Sequence, residues 1–202
     1  LGLNEQFNAD TNPNKVNLGV GVYFDDNGKL PLLQCVQAAE KTMMDKPTAR
    51  GYLPIDGIAA YDNAVKGLVF GADSEPVTSG RVATVQAIGG TGGLKIGADF
   101  LKGLSPNATV LISDPSWENH RALFTNAGFK VDTYAYYDAA KRGVNFDGML
   151  ASLNAAAAGT IVVLHACCHN PTGYDITPAQ WDQVVAVVKA KNLTPFLDMA
   201  YQ

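Results

Sequence analysis

Long apolar runs, an excess of either charge, a disulfide framework and a dinucleotide fingerprint are all missing from this chain. No apolar stretch approaches the roughly 18–20 residues needed to span a bilayer, and no charged-then-apolar leader opens the sequence. Neither a membrane span nor a secretory route is therefore expected. Lys and Arg total 15 against 19 Asp and Glu, a formal net charge of -4, which offers no electrostatic footprint for nucleic acid or for an anionic membrane. Three cysteines, two of them the adjacent Cys167 and Cys168, cannot make a disulfide framework, so a reducing cytoplasm is the expected location. The glycine-rich run Gly89-Gly90-Thr91-Gly92-Gly93 fails the G-x-G-x-x-G template, because Lys95 stands where the last glycine is required.

With 202 residues, 47% hydrophobic and 17% charged, the composition suits a globular α/β chain with a sizeable core. Its most informative stretch is His165-Ala166-Cys167-Cys168-His169-Asn170-Pro171-Thr172-Gly173. This polar, turn-forming segment directly follows the β-branched run 160–164, which reads as a buried parallel strand. Ligands bind at such carboxyl ends in open α/β sheets. Asn-Pro followed by Gly forces a tight turn and fixes the direction of the Asn170 amide. A second strand, from Pro195, ends on Asp198 with the phenol of Tyr201 three residues later.

Alternating strand and helix patterns organise the chain from residue 81 onward. Candidate strands cover 81–88, 109–113, 130–134, 160–164 and 194–198. Candidate helices cover 92–102, 119–127, 146–155 and 178–189, the signature of βαβ units in a mostly parallel, doubly wound sheet flanked by helices. Earlier, 33–44 and 57–70 have helical spacing. The first 31 residues are turn-rich and read as an arm with a strand, so 1–31 is assigned to an arm contributing to a smaller domain and 32–202 to the larger one. The pattern stops in mid-sheet at Gln202, which suggests a fragment with an exposed strand edge, an uncovered apolar face and poor solubility alone.

Several side chains sit where chemistry is done. Gly90 and Thr91 lie between a strand and a helix, where free N–H groups and the positive helix end suit a phosphate; a turn without ligand is as common. Asp198 is either a cap or turn former, or a carboxylate facing a cationic ring nitrogen, as a pyridine cofactor requires. Tyr201 and Asn170 then donate to a phenolic oxygen on the same ring. His120, after the loop Asp114-Pro115-Ser116-Trp117-Glu118-Asn119, either orients that acid or is a satisfied structural residue. Trp117 either stacks on a planar ring or packs in the core. His165 and His169 flank the two cysteines, but no further ligands at compact spacing complete a zinc set.

Together these residues resemble the class I pyridoxal-phosphate aminotransferases, in particular the aspartate and aromatic amino acid subgroup. The likeness runs over nearly the whole chain. It is carried by Asn17-Leu18-Gly19-Val20-Gly21-Val22-Tyr23, Tyr52-Leu53-Pro54-Ile55-Asp56-Gly57, Gly90-Thr91-Gly92, Pro115-Ser116-Trp117-Glu118-Asn119-His120 and His169-Asn170-Pro171-Thr172-Gly173. The resemblance implies the fold-type I PLP-dependent transferase architecture and a homodimer with shared active sites. Gly90 and Thr91 would hold the cofactor phosphate of pyridoxal 5'-phosphate, with Tyr52 reaching the phosphate in the neighbouring subunit. Asp198 would pair with the pyridinium nitrogen, His120 behind it and His165 in the same network. Tyr201 and Asn170 would bond the ring's phenolic oxygen. Trp117 would stack on the ring and, with Asn170 and the Gly21 backbone, position the substrate carboxylate.

The chain departs from the family pattern at Gly89, where many relatives carry a hydroxyl residue, and at Gly93, which replaces a more usual alanine at about 1 kcal/mol of helix propensity. The family's Schiff-base lysine and its carboxylate-clamping arginine lie beyond Tyr201 in relatives, so the 202 residues alone are expected to be inactive. Phe24, Leu30 and Tyr52-Leu53-Pro54 favour an aromatic amino donor with 2-oxoglutarate as acceptor and residual activity on aspartate, since apolar burial is worth about 25 cal/mol per Å². The alternatives are an aspartate-preferring aminotransferase and a non-catalytic PLP-binding module. A lyase or decarboxylase on the same cofactor, and lastly a nicotinamide-binding domain, stand behind these.

Overall fold

A computed structural model describes residues 2–17, 19 and 21–201. Its contacts divide the chain into two compact units, Leu1–Tyr52 and Leu53–Gln202. The first unit holds α1 (Gly2–Ala9) and α2 (Gln34–Asp45), neither of which buries a residue. Asn17 donates from its amide to Asn4 Oδ1 at 2.8 Å, tying the segment after α1 back to that helix. Helix α1 went unrecognised in the sequence because its eight residues are short and polar. The strand expected within the first 31 residues does not form among the described ones; Leu18 and Val20 lie outside them.

The second unit contains α3 (Ala59–Phe70), α4 (Glu75–Thr78), α5 (Gly89–Leu104), β1 (Thr109–Asp114), α6 (Glu118–Asn126), β2 (Lys130–Ala135), β3 (Tyr137–Asp138), β4 (Gly143–Val144), α7 (Phe146–Ala155), β5 (Ile161–His165), α8 (Pro178–Ala190) and β6 (Thr194–Asp198). Strands β2-β1-β5-β6 make one parallel sheet in that order, and β3 and β4 a small antiparallel pair. Helix boundaries match the periodicity to within a few residues, with α7 matching throughout. Helix α5 begins three residues earlier than expected, inside the glycine run, because Gly89 adopts φ +63° and lets the helix start at once.

Both faces of the sheet are covered, which is why its central strands read as continuous apolar runs rather than alternating ones. On one face Ile161 and Val163 pack with Val110, Ile112, Phe124 and Phe129, beneath α5 and α6. On the other, Val162 and Leu164 pack with Tyr134, Met149, Leu153 and Val184, beneath α7 and α8. The period of two along β5 thus divides four adjacent residues between two cores. Helix α8 is entered through a capping box: Thr177 accepts from the Gln180 N–H while the Gln180 side chain accepts from the Thr177 N–H.

The strand expected over 81–88 is absent as a strand. Its burial largely alternates as a strand's does, yet no described segment offers it a ladder, and its backbone bonds to the rest of the unit run from the Arg81 N–H to the Pro76 carbonyl and from the Gln86 N–H to the Asp56 carbonyl. A strand is defined by its partner; periodicity reports only its faces. The outer edge of β6 is likewise unpaired among the described residues. Beside that edge lies an apolar cleft of ≈ 570 Å³, whose walls include Leu164, Trp181, Leu193, Pro195 and Leu197.

Two outcomes follow from this packing. The 202-residue chain alone should self-associate and bind a hydrophobic dye through the β6 edge and its cleft; a monomer with a sharp cooperative melt in sedimentation and calorimetry would overturn this. Gly97 of α5 faces Phe196 of β6 so closely that a Cβ would sit 2.9 Å from the ring. Gly97→Val should therefore cost about 1–3 kcal/mol, read as a lowered urea midpoint.

Candidate active site

Parallel strands deliver their carboxyl ends to one edge, and here three polar ends meet there. Asp114 closes β1, His165 closes β5 and Asp198 closes β6, with His165 and Asp198 opposite each other in register. The chain leaving β1 passes Ser116 and Trp117 and enters α6 at Glu118, so His120 falls in the first turn of that helix. His120 is fully buried, and its Nε2 lies 2.7 Å from Asp198 Oδ2 while its Nδ1 lies 2.8 Å from Ser116 Oγ. An ionised carboxylate only accepts, so Nε2–H donates to Asp198. The hydrogen bond from His120 holds the Asp198 carboxyl below its ordinary range against the opposing effect of burial. Asp198 is therefore a partly exposed, ionised acid at the sheet edge, oriented from behind.

His165 stands beside this relay, its ring centroid 5.0 Å from that of His120. Burial, then the neighbouring His120, lowers its pKa to about 4. Neither of its ring nitrogens has a hydrogen-bond partner among the described residues. Buried polar atoms are ordinarily satisfied, so a neutral imidazole left bare at the sheet edge marks a place for a further polar guest. One donor atom each from His120, His165 and Asp198 lies within 4.8 Å of the others, but both His120 nitrogens are already engaged in the relay.

His169 has the structural role. Ser113 Oγ donates to the Pro115 carbonyl, so His169 Nε2–H must donate to Ser113 at 2.9 Å, leaving Nδ1 to accept from Thr172 Oγ1 at 2.8 Å. The ring stacks on Tyr136 at 3.9 Å, and burial lowers its pKa to about 3. Asp175 completes the clamp by accepting from the N–H groups of Cys168 and His169 at 2.7 and 2.8 Å. The turn that carries Asn170 is thereby held from two sides, while Asn170 itself is exposed.

The remaining candidates lie around this centre. Trp117 is half-buried, its ring edge-on to His120 at 5.4 Å. Tyr201 is exposed, and its carbonyl accepts from the Cys167 thiol. Gly90 and Thr91 occupy the first turn of α5, where no side chain caps the helix and a Cβ on Gly89 or Gly90 would meet nothing within 4 Å. That helix end is on the same side of the sheet as Asp198, because Gly97 packs on Phe196, and Gly90 is two turns, about 10 Å, back toward the strand ends. Gly21 and Tyr52 belong to the first unit, both exposed. Sequence reasoning missed Ser116, Ser113 and Asp175. The four-residue spacing of Ser116 and His120 at a helix start was the one signal available for them.

An uncapped helix start, an ionised acid held by a histidine relay, and parallel strand ends between them meet at one edge of an α/β fold. The sequence comparisons agree: residues 13–202 match the family model for aminotransferase class I and II, and the chain belongs to that family. It is 64% identical over 202 residues to the aspartate aminotransferase of Pseudomonas aeruginosa, and 49% identical over 203 residues to the aromatic-amino-acid aminotransferase of Escherichia coli. Each match takes in 100% of this chain and 51% of the relative. Among solved structures, the aromatic-amino-acid aminotransferase of Burkholderia pseudomallei covalently bound to pyridoxal phosphate superposes with a TM-score of 0.92 at 67% identity, over 100% of this chain and 50% of that one. The chain thus spans about half the length of the relatives it matches.

The depressed histidines set a direction for acid stability. Between pH 6.5 and about 4 the unfolded chain protonates a histidine that folded His165 leaves neutral, and for His169 the window extends to about 3. Asp198, with its lowered value, adds a further loss as pH falls from the ordinary carboxylate range down to that value. The urea midpoint should therefore drop from pH 7 to pH 4, and His165→Asn should flatten that drop.

Proposed function

We propose that the protein is a pyridoxal-phosphate-dependent aminotransferase that moves the amino group of an aromatic amino acid, and also of aspartate, to 2-oxoglutarate. The observation carrying this reading is the Ser116–His120–Asp198 relay, which holds an ionised carboxylate at the strand ends facing the uncapped start of α5. The donor set fits the cofactor. The N-terminal amides of α5, with the Thr91 hydroxyl and no side chain in the way, suit a phosphate dianion. An acid kept ionised suits a protonated ring nitrogen, and the bare nitrogens of His165 await a polar partner.

When bound, pyridoxal phosphate supplies a ring that takes up the electron pair released at the substrate carbon. The work of this chain is to keep that ring charged and fixed. Asp198 Oδ would stabilise a proton on the ring nitrogen, and His120 fixes the carboxylate's orientation through Nε2. Ser116 in turn holds the His120 ring through Nδ1. Tyr201 and Asn170 would donate to the ring's phenolic oxygen. Trp117 would cover one face of the ring and, with Asn170, would position the substrate carboxylate.

The homodimer, with Tyr52 reaching the neighbouring subunit's phosphate, is part of the same proposal. So are the assignment of residues 1–31 to a smaller domain and a lysine supplied by sequence outside these 202 residues. The aromatic preference rests on Phe24, Leu30 and Tyr52-Leu53-Pro54, and on similarity to relatives named for aromatic donors.

Borohydride reduction of the full-length protein with pyridoxal phosphate, followed by peptide mass spectrometry, should label a single lysine. No specific label would sink the enzyme reading in favour of a binding module. Asp198→Asn should weaken cofactor affinity about 10- to 100-fold, the value of a charged hydrogen bond, in equilibrium dialysis.

A further inference from the structure

We infer that Gln86 is a positioning residue for the phosphate end of the proposed cofactor site, holding the start of α5 through a side-chain staple to the turn before α3. The inference rests on the reading that the first turn of α5 takes the phosphate. Gln86 donates its N–H to the Asp56 carbonyl at 2.9 Å, and its Oε1 accepts from the Ile58 N–H at 3.0 Å. It thus brackets Gly57 with a donor on one side and an acceptor on the other, as a residue in a parallel ladder does with the residues flanking its partner. Here the side-chain oxygen takes the place of the main-chain carbonyl, so a tether forms without a strand.

Gly57 is shaped to receive that side chain. It is buried between exposed neighbours, adopts φ +106°, and a Cβ there would lie 2.3 Å from the Gln86 Cβ. Its N–H donates to the Pro54 carbonyl at 3.0 Å, closing the turn that Gln86 grips. On the other side of the staple, Ala87, Ile88, Gly89 and Gly90 carry no polar side chain. Ile88, at the N-cap of α5, is 96% exposed and gives the helix no side-chain cap. Further along, α5 is held where Leu94 and Ala98 are buried and Gly97 meets Phe196. The turn with Gly90 and Thr91 is therefore suspended between two holds, Gln86 before it and the buried face of the helix after it. N–H groups that cradle an anion must be preset, because every residue ordered only on binding subtracts from affinity.

Equilibrium dialysis of the full-length protein against pyridoxal phosphate, and against pyridoxal, which lacks the phosphate, tests this. Gln86→Leu should weaken pyridoxal phosphate about 5- to 10-fold, the order of one hydrogen bond, and leave pyridoxal within about twofold. Gln86→Glu keeps an oxygen for the Ile58 N–H, and in salt that screens its charge it should stay within about threefold of the unmutated protein. Equal losses for the two ligands, or no loss for pyridoxal phosphate, would overturn the role of Gln86 alone. Unmutated protein that binds pyridoxal as tightly as pyridoxal phosphate would instead sink the phosphate reading, and this inference with it. Amide exchange in the unmutated protein keeps the test decisive if Gln86→Leu fails to fold. The Ile58 N–H should exchange more slowly with pyridoxal phosphate bound than with pyridoxal bound, and equal protection would overturn the staple.

Discussion

Strand β5 is buried on both faces, with Ile161, Val162, Val163 and Leu164 each exposed by 3% or less. A strand so enclosed has one solution: neighbours on either side, a layer of helices above and another below, and parallel connections that return over the faces. Every other feature inherits from that. Because β1, β5 and β6 run the same way, their polar ends Asp114, His165 and Asp198 share one edge. Because α5 returns over one face, its uncapped start points to the same edge. The site is the place where burial of the core runs out on several strands at once.

What the edge adds is a polar network of unequal parts. The Ser116–His120–Asp198 chain is satisfied throughout and holds an ionised acid toward solvent. The His169 cluster with Ser113, Thr172 and Tyr136 is also satisfied, and serves the turn rather than the ligand. Between them His165 is bare on both nitrogens. The folded chain bears the cost of about 1–3 kcal/mol for such an unmet buried group at the centre of the edge.

Much of this was legible in the residues. The 3.6 and 2 periods located the helices from α2 onward, apart from the four-residue α4, and the four strands of the main sheet. The polarity change after Leu164 and at Asp198 pointed to the sheet edge where the candidate site lies. Position was harder than presence. Residues 81–88 carry a strand's alternation but lack a ladder, because pairing is a relation between segments and periodicity is a property of one. Helix α5 begins in a glycine run that sequence reading takes for a loop. Asp175, ten residues beyond the end of β5, was invisible because its task, gathering the N–H groups of Cys168 and His169, depends on a turn that only the folded backbone defines.

The contact of Gly97 with Phe196 has a consequence of scale. It fixes α5 against β6 without an intervening side chain, and so fixes the span between the helix start at Gly90 and the carboxylate at Asp198. On the proposed reading the two ends act as jaws of a caliper, one for an anion and one for a cationic nitrogen. A ligand is then selected by its length before any of its chemistry is tested. The smallest residue in the sequence sets that measure from two helical turns away.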